Sequence, residues 1–396
     1  MKGIASKATL VLAGVITSLI IAELALRLIG FSYPAMNSVD PDLGPVNRPH
    51  AEGWFSDEGA AHFQFNGEGY RDRDHSPDKP AGTFRIAVLG DSYVEALQVD
   101  VQETFWSLME GQLDASCTKQ GVEDFEVLAF GVSGYGTDQE LLTLRHRVWR
   151  YAPDLVILAF LTGNDVRNNL RELEKTPLKP YFVLRNGELV LDTSFRDSSE
   201  FQVRQTWYWK TLQLLSDHVR LLQLLNRAKR VLRLRQETQQ WSGGGEAGLD
   251  ETVYSPPTSG VWERAWNTTE AILATMHREV AERGVRFLVV TLTNGAQVYP
   301  DPQVRARRLA ERNLVDFSYA DQRIARLGES EGFDVLVLAP FLRQYADRTG
   351  TFLHGFPDTG LGHGHWNEAG HRIAGERIAD FVCRRFIEGG SSSALE

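Results

Sequence analysis

The sequence predicts an α/β fold in which a parallel sheet is covered by helices on both faces. Between residues 84 and 340, short and almost wholly apolar segments alternate with longer segments of helical period. Strands that are apolar on both sides belong to sheets that are buried on both sides. Alternation of strands and helices is typical of parallel crossover connections. These two observations predict a three-layer α/β/α sandwich.

Five strands and their helices are assigned in order along the chain. The strands are predicted at FRIAVLG (84–90), FEVLAFG (125–131), DLVILAFL (154–161), VRFLVVTL (285–292) and FDVLVLAP (333–340). The helices are predicted at 102–113, 138–151, 264–284, 305–328 and 367–387. This rhythm gives one five-stranded parallel sheet.

The connection between the third and fourth strands is too long for one crossover, so we expect an insertion at residues 167–265. Its segment YFVLRNGELVLD is predicted to be a hairpin that turns at Asn186 and Gly187. Two segments are expected to be flexible, namely WSGGGEAG (241–248) and the C-terminal tail (389–396).

Residues 206–236 of the insertion are predicted to form a long amphipathic helix or a helix pair. From Lys210 to Arg235 they carry seven Lys or Arg and one acid, Asp217, a net charge of +6. Two interpretations remain open. The segment is either a helical cap packed on the sandwich or a basic face that lies on anionic lipid. A lid over the substrate pocket is compatible with both.

The N-terminal residues indicate a transmembrane helix at 8–30. Residues 8–22 carry no charge, and the apolar character continues long enough for the roughly 20 residues that span a bilayer. Glu23 and Arg27 lie four residues apart and can pair near the far interface. A cleaved signal peptide is the alternative. We favour an uncleaved anchor because the apolar run is long and lacks a clean small-x-small cleavage site.

The charges around this helix predict how the chain is oriented. Lys2 and Lys7 precede the apolar run, which places residues 1–7 in the cytoplasm and the remainder in the periplasm or outside the cell. Residues 31–80, rich in Pro, Gly, Asn and Asp, are expected to be an extended lead-in whose aromatic part packs on the main domain. The main domain is expected at 81–388.

The overall charge excludes one class of partner. A formal charge of −10 over 396 residues leaves no excess of Lys and Arg for phosphates, so no nucleic acid partner is expected. The two cysteines, Cys117 and Cys383, do not have the spacing of a metal site. We predict neither a metal ion nor a cofactor.

Polar, glycine-flanked groups follow three of the predicted strands. They are Gly90-Asp91-Ser92, VSGYG and TGND, and GHGHWNEAGH follows near the C-terminus. Functional groups of parallel sheets gather at the carboxyl ends of the strands, so these groups are expected to meet at one edge. A serine, exposed glycine backbone, an asparagine and a histidine are the components of a serine hydrolase.

Each component has a predicted chemical role. Ser92 is the candidate nucleophile, and His365 is the candidate base that takes its proton and returns it to the leaving group. The N–H groups of Ser92 and Gly134 and the amide of Asn164 are candidate donors to the oxyanion.

Three further residues are candidates for supporting roles. Asp91 is expected to brace loops by accepting backbone N–H bonds, and Asp165 follows Asn164 in the same turn. His363 is a candidate second polar contact to the substrate.

The four segments that contain Ser92, Gly134, Asn164 and His365 resemble the blocks of the SGNH (GDSL) hydrolase superfamily, and they occur in the order of that family. Ser92 matches the serine of block I, Gly134 the glycine of block II, Asn164 the asparagine of block III and His365 the histidine of block V. The resemblance covers about residues 84–386, with the insertion as an interruption. It implies a flavodoxin-like sheet of order 2-1-3-4-5 and the hydrolysis or transfer of ester-linked acyl groups.

One position departs from the family pattern. The family usually has an aspartate three residues before the histidine, and Gly362 stands there. Three substitutes are considered for the group that orients His365: a backbone carbonyl, which leaves a Ser–His dyad, Asp358, or another carboxylate. We favour the carbonyl because the glycine-rich run between Asp358 and His365 is a poor support for a fixed carboxylate.

Three functions follow from these features. The first is a membrane-tethered serine esterase that cleaves O-acyl esters, O-acetyl esters included, of a small molecule or glycan through an acyl-Ser92 intermediate. The second is an O-acyltransferase acting on cell-envelope or extracellular glycans. The third, suggested by the missing acid, is a non-catalytic binding or scaffold module of the envelope. Contact with the membrane is expected through residues 8–30 and, as the second interpretation of the basic segment, through 206–236.

The implied strand order also predicts a disulfide. In a 2-1-3-4-5 sheet, the first crossover helix and the last helix cover the same face. Cys117 follows the first of these helices and Cys383 lies in the last. An oxidising compartment permits the bond.

Overall fold

A computed structural model describes residues 2–33, 35–117, 121–174, 176–240 and 249–389. The N-terminal part contains a long helix and two antiparallel hairpins, in chain order α1 (Lys2–Leu28), β1 (Asn37–Asp40), β2 (Gly44–Asn47), β3 (Glu52–Phe55) and β4 (Ala61–Gln64). The predicted lead-in thus contains two short hairpins that the sequence pattern did not indicate. Its aromatic part packs on the main domain as predicted, since Phe63 and Phe65 are buried together with Leu97.

The remaining strands and helices follow in chain order. They are β5 (Thr83–Gly90), α2 (Ser92–Glu95), α3 (Phe105–Ser116), β6 (Asp124–Gly131), α4 (Thr137–Thr143), β7 (Leu155–Leu161), α5 (Asp165–Asn168), α6 (Arg171–Glu174), β8 (Tyr181–Arg185), β9 (Glu188–Asp192), α7 (Ser199–Gln205), α8 (Trp207–His218), α9 (Arg220–Gln240), α10 (Gly260–Ala281), β10 (Arg286–Leu292), α11 (Pro302–Glu311), α12 (Tyr319–Glu331), β11 (Asp334–Val337), α13 (Ala339–Thr349) and α14 (Glu368–Val382).

Five strands form one parallel sheet in the order β11-β10-β7-β5-β6. This is the predicted order 2-1-3-4-5, counted from the opposite edge. Gly90 of β5 lies in register with Gly131 of β6 and with Ala159 of β7. Strands β5 and β6 therefore end at the same level and β7 ends two residues further on, at Leu161, so the polar groups that follow these strands meet at one edge of the sheet.

Helices cover both faces of this sheet, as predicted. Side chains of α3, α13 and α14 form the core on one face, and side chains of α4, α10 and α12 form the core on the other. Cys117 and Cys383 lie on the same face and form a disulfide, with their Cα atoms 5.6 Å apart. The three-layer sandwich and the disulfide are both confirmed.

The insertion contains the predicted hairpin and a pair of helices. Strands β8 and β9 turn at Asn186 and Gly187, whose φ angles are 52° and 83°. Of the two forms considered for residues 206–236, the structure has the helix pair, because Val219 between α8 and α9 is extended (φ −109°, ψ 104°). The predicted flexible segments at 241–248 and, apart from Gly389, at 389–396 lie outside the described residues.

One predicted helix is two helices in the structure. The segment 305–328 is divided between α11 and α12. Asn313, between them, has a left-handed backbone (φ 54°), and the Asp316 side chain accepts the N–H of Ser318 at 2.6 Å. These local turns end one helix and position the start of the next.

Helix α1 is long and apolar enough at Thr9–Leu28 to cross a membrane, and no part of this span is buried in the protein. Glu23 and Arg27 form the expected pair at 2.9 Å. By length and composition α1 is compatible with a membrane anchor or a signal sequence.

Candidate active site

Ser92 lies at a sharp turn between strand β5 and helix α2. Gly90 allows this turn, since a Cβ there would overlap Val94 and press on Ala159. Asp91 caps the helix by accepting the N–H of Tyr93 at 2.9 Å. The N–H of Ser92 therefore belongs to the first turn of a helix, whose amides have no acceptor within that helix.

Ser92, His365 and Glu58 form a continuous hydrogen-bonded chain. The Oγ of Ser92 lies 2.8 Å from Nε2 of His365. The Nδ1 of His365 lies 2.5 Å from one carboxylate oxygen of Glu58, and its backbone N–H donates to the other oxygen at 2.8 Å. Glu58 thus fixes both the ring and the backbone of the histidine.

The position of Glu58 corrects the expectation for the group beside His365. Neither a backbone carbonyl nor Asp358 is the partner of Nδ1, and Asp358 is exposed. Gly362 could not carry the usual acid here, because its φ is +81° and a Cβ would overlap the ring of Tyr299. Gly364, with φ +77°, has no side chain to displace the carboxylate of Glu58.

Glu58 is held in the turn between β3 and β4. Gly59 follows it with a φ of +65° and packs against Gln98 and Phe356. Burial acts to raise the pKa of Glu58, but the hydrogen bonds from His365 and the attraction to its ring outweigh burial and lower the pKa. Glu58 is therefore a carboxylate at neutral pH.

A second histidine, His354, supports the loop that carries His365. Its Nδ1 lies 2.8 Å from the carbonyl oxygen of Gly364, and its Nε2 lies 3.0 Å from Oγ1 of Thr293. Burial lowers the pKa of His354 to about 4, so its ring is neutral at pH 7. Nothing in the sequence pattern had singled out His354 or Glu58.

The three candidate oxyanion donors line one cavity with His365. Ser92, Gly134 and Asn164 all face this space of about 320 Å³. The backbone of Gly134 is left-handed (φ +81°) and open on its Cα side. The amide of Asn164 donates one hydrogen to Asp91 at 3.0 Å, which leaves its second hydrogen for another acceptor.

Asp91 and Asp165 are buried beneath the site. Asp91 accepts hydrogen bonds from Tyr93 and Asn164, which is the bracing geometry expected for it. Asp165 accepts the N–H of Leu161 at 2.9 Å and so ties the end of β7 to the turn after it. Burial raises the pKa of both carboxyls.

His363 lies apart from these groups. It is exposed, its Nε2 lies 3.0 Å from a guanidinium nitrogen of Arg308, and it is not part of the cavity wall. The structure thus brings together every predicted central residue except Asp358, and it leaves His363 outside. Within the described ranges, no three His, Cys, Asp or Glu side chains are grouped to hold a metal ion.

The lead-in and the insertion supply much of the cavity wall. Met36, Asn47 and Phe55 come from the lead-in, and Arg230 comes from helix α9. Glu95, buried at the base, accepts from Asn47 at 2.5 Å and from the N–H of Ser133 at 3.1 Å. The segments around the sandwich therefore shape the space in front of Ser92.

No family model and no curated protein matches the chain. Solved structures that align with it include an acetyl xylan esterase, with 12% identity and a TM-score of 0.39 over 76% of this chain and 100% of that chain. A catalytic mutant of an acetylxylan esterase from Geobacillus stearothermophilus aligns with 12% identity and a TM-score of 0.38, over 78% and 95%. A lipase/acylhydrolase from Enterococcus faecalis aligns with 15% identity and a TM-score of 0.36, over 76% and 96%.

Proposed function

We propose that this chain is a serine ester hydrolase of the SGNH (GDSL) type that cleaves O-acyl esters through a covalent acyl-Ser92 intermediate. The observation that carries this proposal is the chain of contacts from Ser92 through His365 to Glu58, at 2.8 and 2.5 Å. A hydroxyl, an imidazole and a carboxylate in this sequence form a device that activates a serine.

The first half of the reaction transfers the acyl group to the enzyme. His365 takes the hydroxyl proton of Ser92 as its Oγ attacks the ester carbonyl, which becomes a tetrahedral oxyanion. The N–H groups of Ser92 and Gly134 and the free amide hydrogen of Asn164 donate to this oxygen. The intermediate collapses, the C–O bond to the alcohol breaks, and the alcohol leaves with the proton from His365.

The second half returns the enzyme to its starting state. His365 takes a proton from water, the hydroxide attacks the acyl carbonyl, and the acid leaves as the proton returns to Ser92 Oγ. Glu58 holds the ring in the tautomer that has its free lone pair on Nε2, and its negative charge stabilises the imidazolium that forms in each step. The absent acid was the reason for considering a non-catalytic module, and Glu58 removes that reason.

The cavity favours a small acyl group on a polar alcohol. Its volume of about 320 Å³ accommodates a short acyl group together with part of the alcohol, and its wall combines Leu161 and Leu249 with the polar Asn37 and Arg230. We therefore favour O-acetyl and other short O-acyl esters of a small molecule or glycan as substrates. Transfer to a sugar hydroxyl instead of water would use the same acyl-Ser92 intermediate.

We place the catalytic domain outside the cytoplasm, held by α1 as a membrane anchor. Lysines precede the apolar span at positions 2 and 7, which favours an N-terminus on the cytoplasmic side. The Cys117–Cys383 disulfide is consistent with an oxidising compartment such as the periplasm.

Labelling with a fluorophosphonate tests this function. We expect the wild-type chain to be labelled on the peptide that contains Ser92 and to hydrolyse short p-nitrophenyl esters. Ser92→Ala should lose both properties and keep its fold, because the hydroxyl lies at the sheet edge rather than in the core. Ser133→Ala is the matched control, since Ser133 lines the same cavity but bonds to Glu95. Labelling that persists in Ser92→Ala would refute the proposal.

A further inference from the structure

The helices α8 and α9 each expose a row of apolar side chains. On α8, Trp207 is 78% exposed and Leu215 is 50% exposed, and on α9, Leu225 is 57% exposed and Leu232 is 59% exposed. On each helix these apolar side chains share the face opposite the one that contacts the protein. Large apolar side chains that are exposed together on one helix face indicate an interaction site, whereas isolated exposed apolar residues do not.

Helix α1 is attached to the joint between α8 and α9. The two carboxylate oxygens of Glu23 accept the N–H groups of Arg220 and Leu221 at 3.1 and 3.0 Å, which places an anion at the N-terminus of α9. Arg27 donates to the carbonyl of His218 at the end of α8. The charged pair near the C-terminal end of the apolar span thus fastens α1 to the helix pair.

The surroundings of this joint fit a bilayer surface rather than a protein partner. The apolar face begins beside the last turns of α1, so a bilayer crossed by Thr9–Leu28 would meet it directly. Trp207 and Tyr208 are the residue types that favour the lipid–water interface. Lys210 and Lys229 are exposed and suit anionic headgroups.

The opposite side of α9 holds the turn that carries Glu58. Arg230 donates to the carboxylate of Asp57 at 2.9 Å, and Arg227 donates to Ser56 at 3.2 Å. Glu58 directly follows Asp57 in the chain. A force that shifts α9 therefore acts, through Asp57 and Ser56, on the turn that carries Glu58.

We propose that the α8–α9 pair lies on the anionic outer surface of the membrane that α1 spans, and that this contact holds Glu58 against His365. The consequence for activity rests on the proposed ester hydrolase function. Ester hydrolysis is then fastest when the helix pair is seated on lipid. Asp57 is a positioning residue in this arrangement, because it touches Arg230 and neither the substrate cavity nor His365.

The membrane contact is tested by fluorescence quenching, independently of activity. Leu225→Cys or Leu232→Cys is labelled with an environment-sensitive fluorophore in the full chain, in nanodiscs of brominated phosphatidylcholine and phosphatidylglycerol. We expect strong quenching at both positions. Val315→Cys is the matched control, because Val315 is 94% exposed between α11 and α12 and should not be quenched. Equal quenching at all three positions would overturn the membrane contact.

The coupling is tested with a soluble ester, so that the presentation of the substrate plays no part. For the wild-type chain, we expect kcat for p-nitrophenyl acetate to be about tenfold higher in phosphatidylglycerol-containing nanodiscs than in detergent, within the usual range for linked sites. Leu225→Gln/Leu232→Gln and Asp57→Asn should each reduce this ratio to about one, whereas Val315→Gln should retain it.

The possible outcomes of these two experiments are distinguishable. The fluorophores at positions 225 and 232 can be quenched selectively while the Leu225→Gln/Leu232→Gln and Asp57→Asn variants keep the wild-type ratio of kcat in nanodiscs to kcat in detergent. That result overturns the coupling to Glu58. If the wild-type chain hydrolyses no ester in nanodiscs or in detergent, the proposed function is overturned. The quenching experiment then still tests the membrane contact by itself.

Discussion

The carboxylate that holds His365 comes from a part of the chain that precedes the first strand of the sheet. Glu58 and His365 are 307 residues apart, and no spacing or period in the sequence connects them. Ser92, Gly134, Asn164 and His365 were predictable because each is near the carboxyl end of a strand or in a segment that resembles a family block. Glu58 lies in a hairpin turn, where an acid followed by glycine has the composition of an ordinary turn.

Replacing Glu58 by glutamine should be far more damaging than replacing Asp358 by asparagine. Glutamine cannot stabilise the imidazolium as a carboxylate does and does not enforce the correct tautomer, so kcat of Glu58→Gln should fall on the order of 10⁴-fold, the cost of neutralising a triad aspartate in serine proteases. Asp358→Asn should keep most of its rate, because Asp358 is exposed. A loss in Asp358→Asn as large as that in Glu58→Gln, with unchanged circular dichroism, would contradict this assignment.

For the Glu58→Gln variant we also predict a change in the pH dependence of the rate. The pKa of Glu58 is lowered in the folded protein, so the carboxylate is charged above its usual value of 4.5 and loses its charge only as the pH falls further. The acidic limb of the wild-type rate profile should therefore report proton uptake by His365, not by Glu58. Without the adjacent charge the imidazole takes up a proton less readily, so the residual activity of Glu58→Gln should extend to lower pH. If the acidic limb of the Glu58→Gln profile lies at the same pH as that of the wild-type protein, the result argues against the contact between Glu58 and His365.

At the scale of elements, the loop before α14 is built around its glycines. Gly362 excludes the usual acid and Gly364 leaves room for Glu58, because both have left-handed backbones and crowded Cβ positions. The glycines are visible in the sequence, but the sequence does not show that they leave space for Glu58, because Glu58 lies in a hairpin from a distant part of the chain. The five strands of the parallel sheet and the insertion hairpin were predictable from local pattern. The division of α11 from α12 was not, because it depends on one asparagine and its turn.

Gly364→Ala should lower kcat without unfolding the protein. The added methyl group would displace the carboxylate of Glu58, and a displacement of about 1 Å at a catalytic group can cost about 10²-fold in rate. Gly360→Ala is the matched control. Gly360 lies in the same loop, also has a positive φ (+107°), and has open space around its Cβ position. Equal losses of kcat in the two variants would mean that backbone strain, and not the position of Glu58, is responsible.

At the scale of the whole molecule, the sandwich was predictable because its strands and helices carry their own periodic patterns. The arrangement of the lead-in, α1 and α8–α9 around it was not, because it depends on contacts such as Arg48 with Asp217, 169 residues apart. The disulfide was predictable from the strand order that the family resemblance implies, together with an oxidising compartment. It joins α3 to the end of α14 and thereby links parts of the sandwich that are 266 residues apart.

Removing this disulfide should lower the free energy of unfolding by about 2–5 kcal/mol, because a long loop in the unfolded chain is released. Chemical denaturation of the Cys117→Ser/Cys383→Ser variant measures this effect. A reductant should destabilise the wild-type chain and leave the double variant unchanged. If the reductant shifts both proteins equally, the effect does not come from this bond.

The most direct test of the account is to trap the acyl group on the enzyme. The full chain is mixed with p-nitrophenyl acetate, quenched with acid, digested and analysed by mass spectrometry. We predict one acetyl group on the peptide that contains Ser92 in the wild-type protein, none in Ser92→Ala, and much slower formation in Glu58→Gln. Hydrolysis at the wild-type rate by Ser92→Ala, or an acetyl group that forms on another residue at the catalytic rate, would contradict the proposed Ser92–His365–Glu58 mechanism.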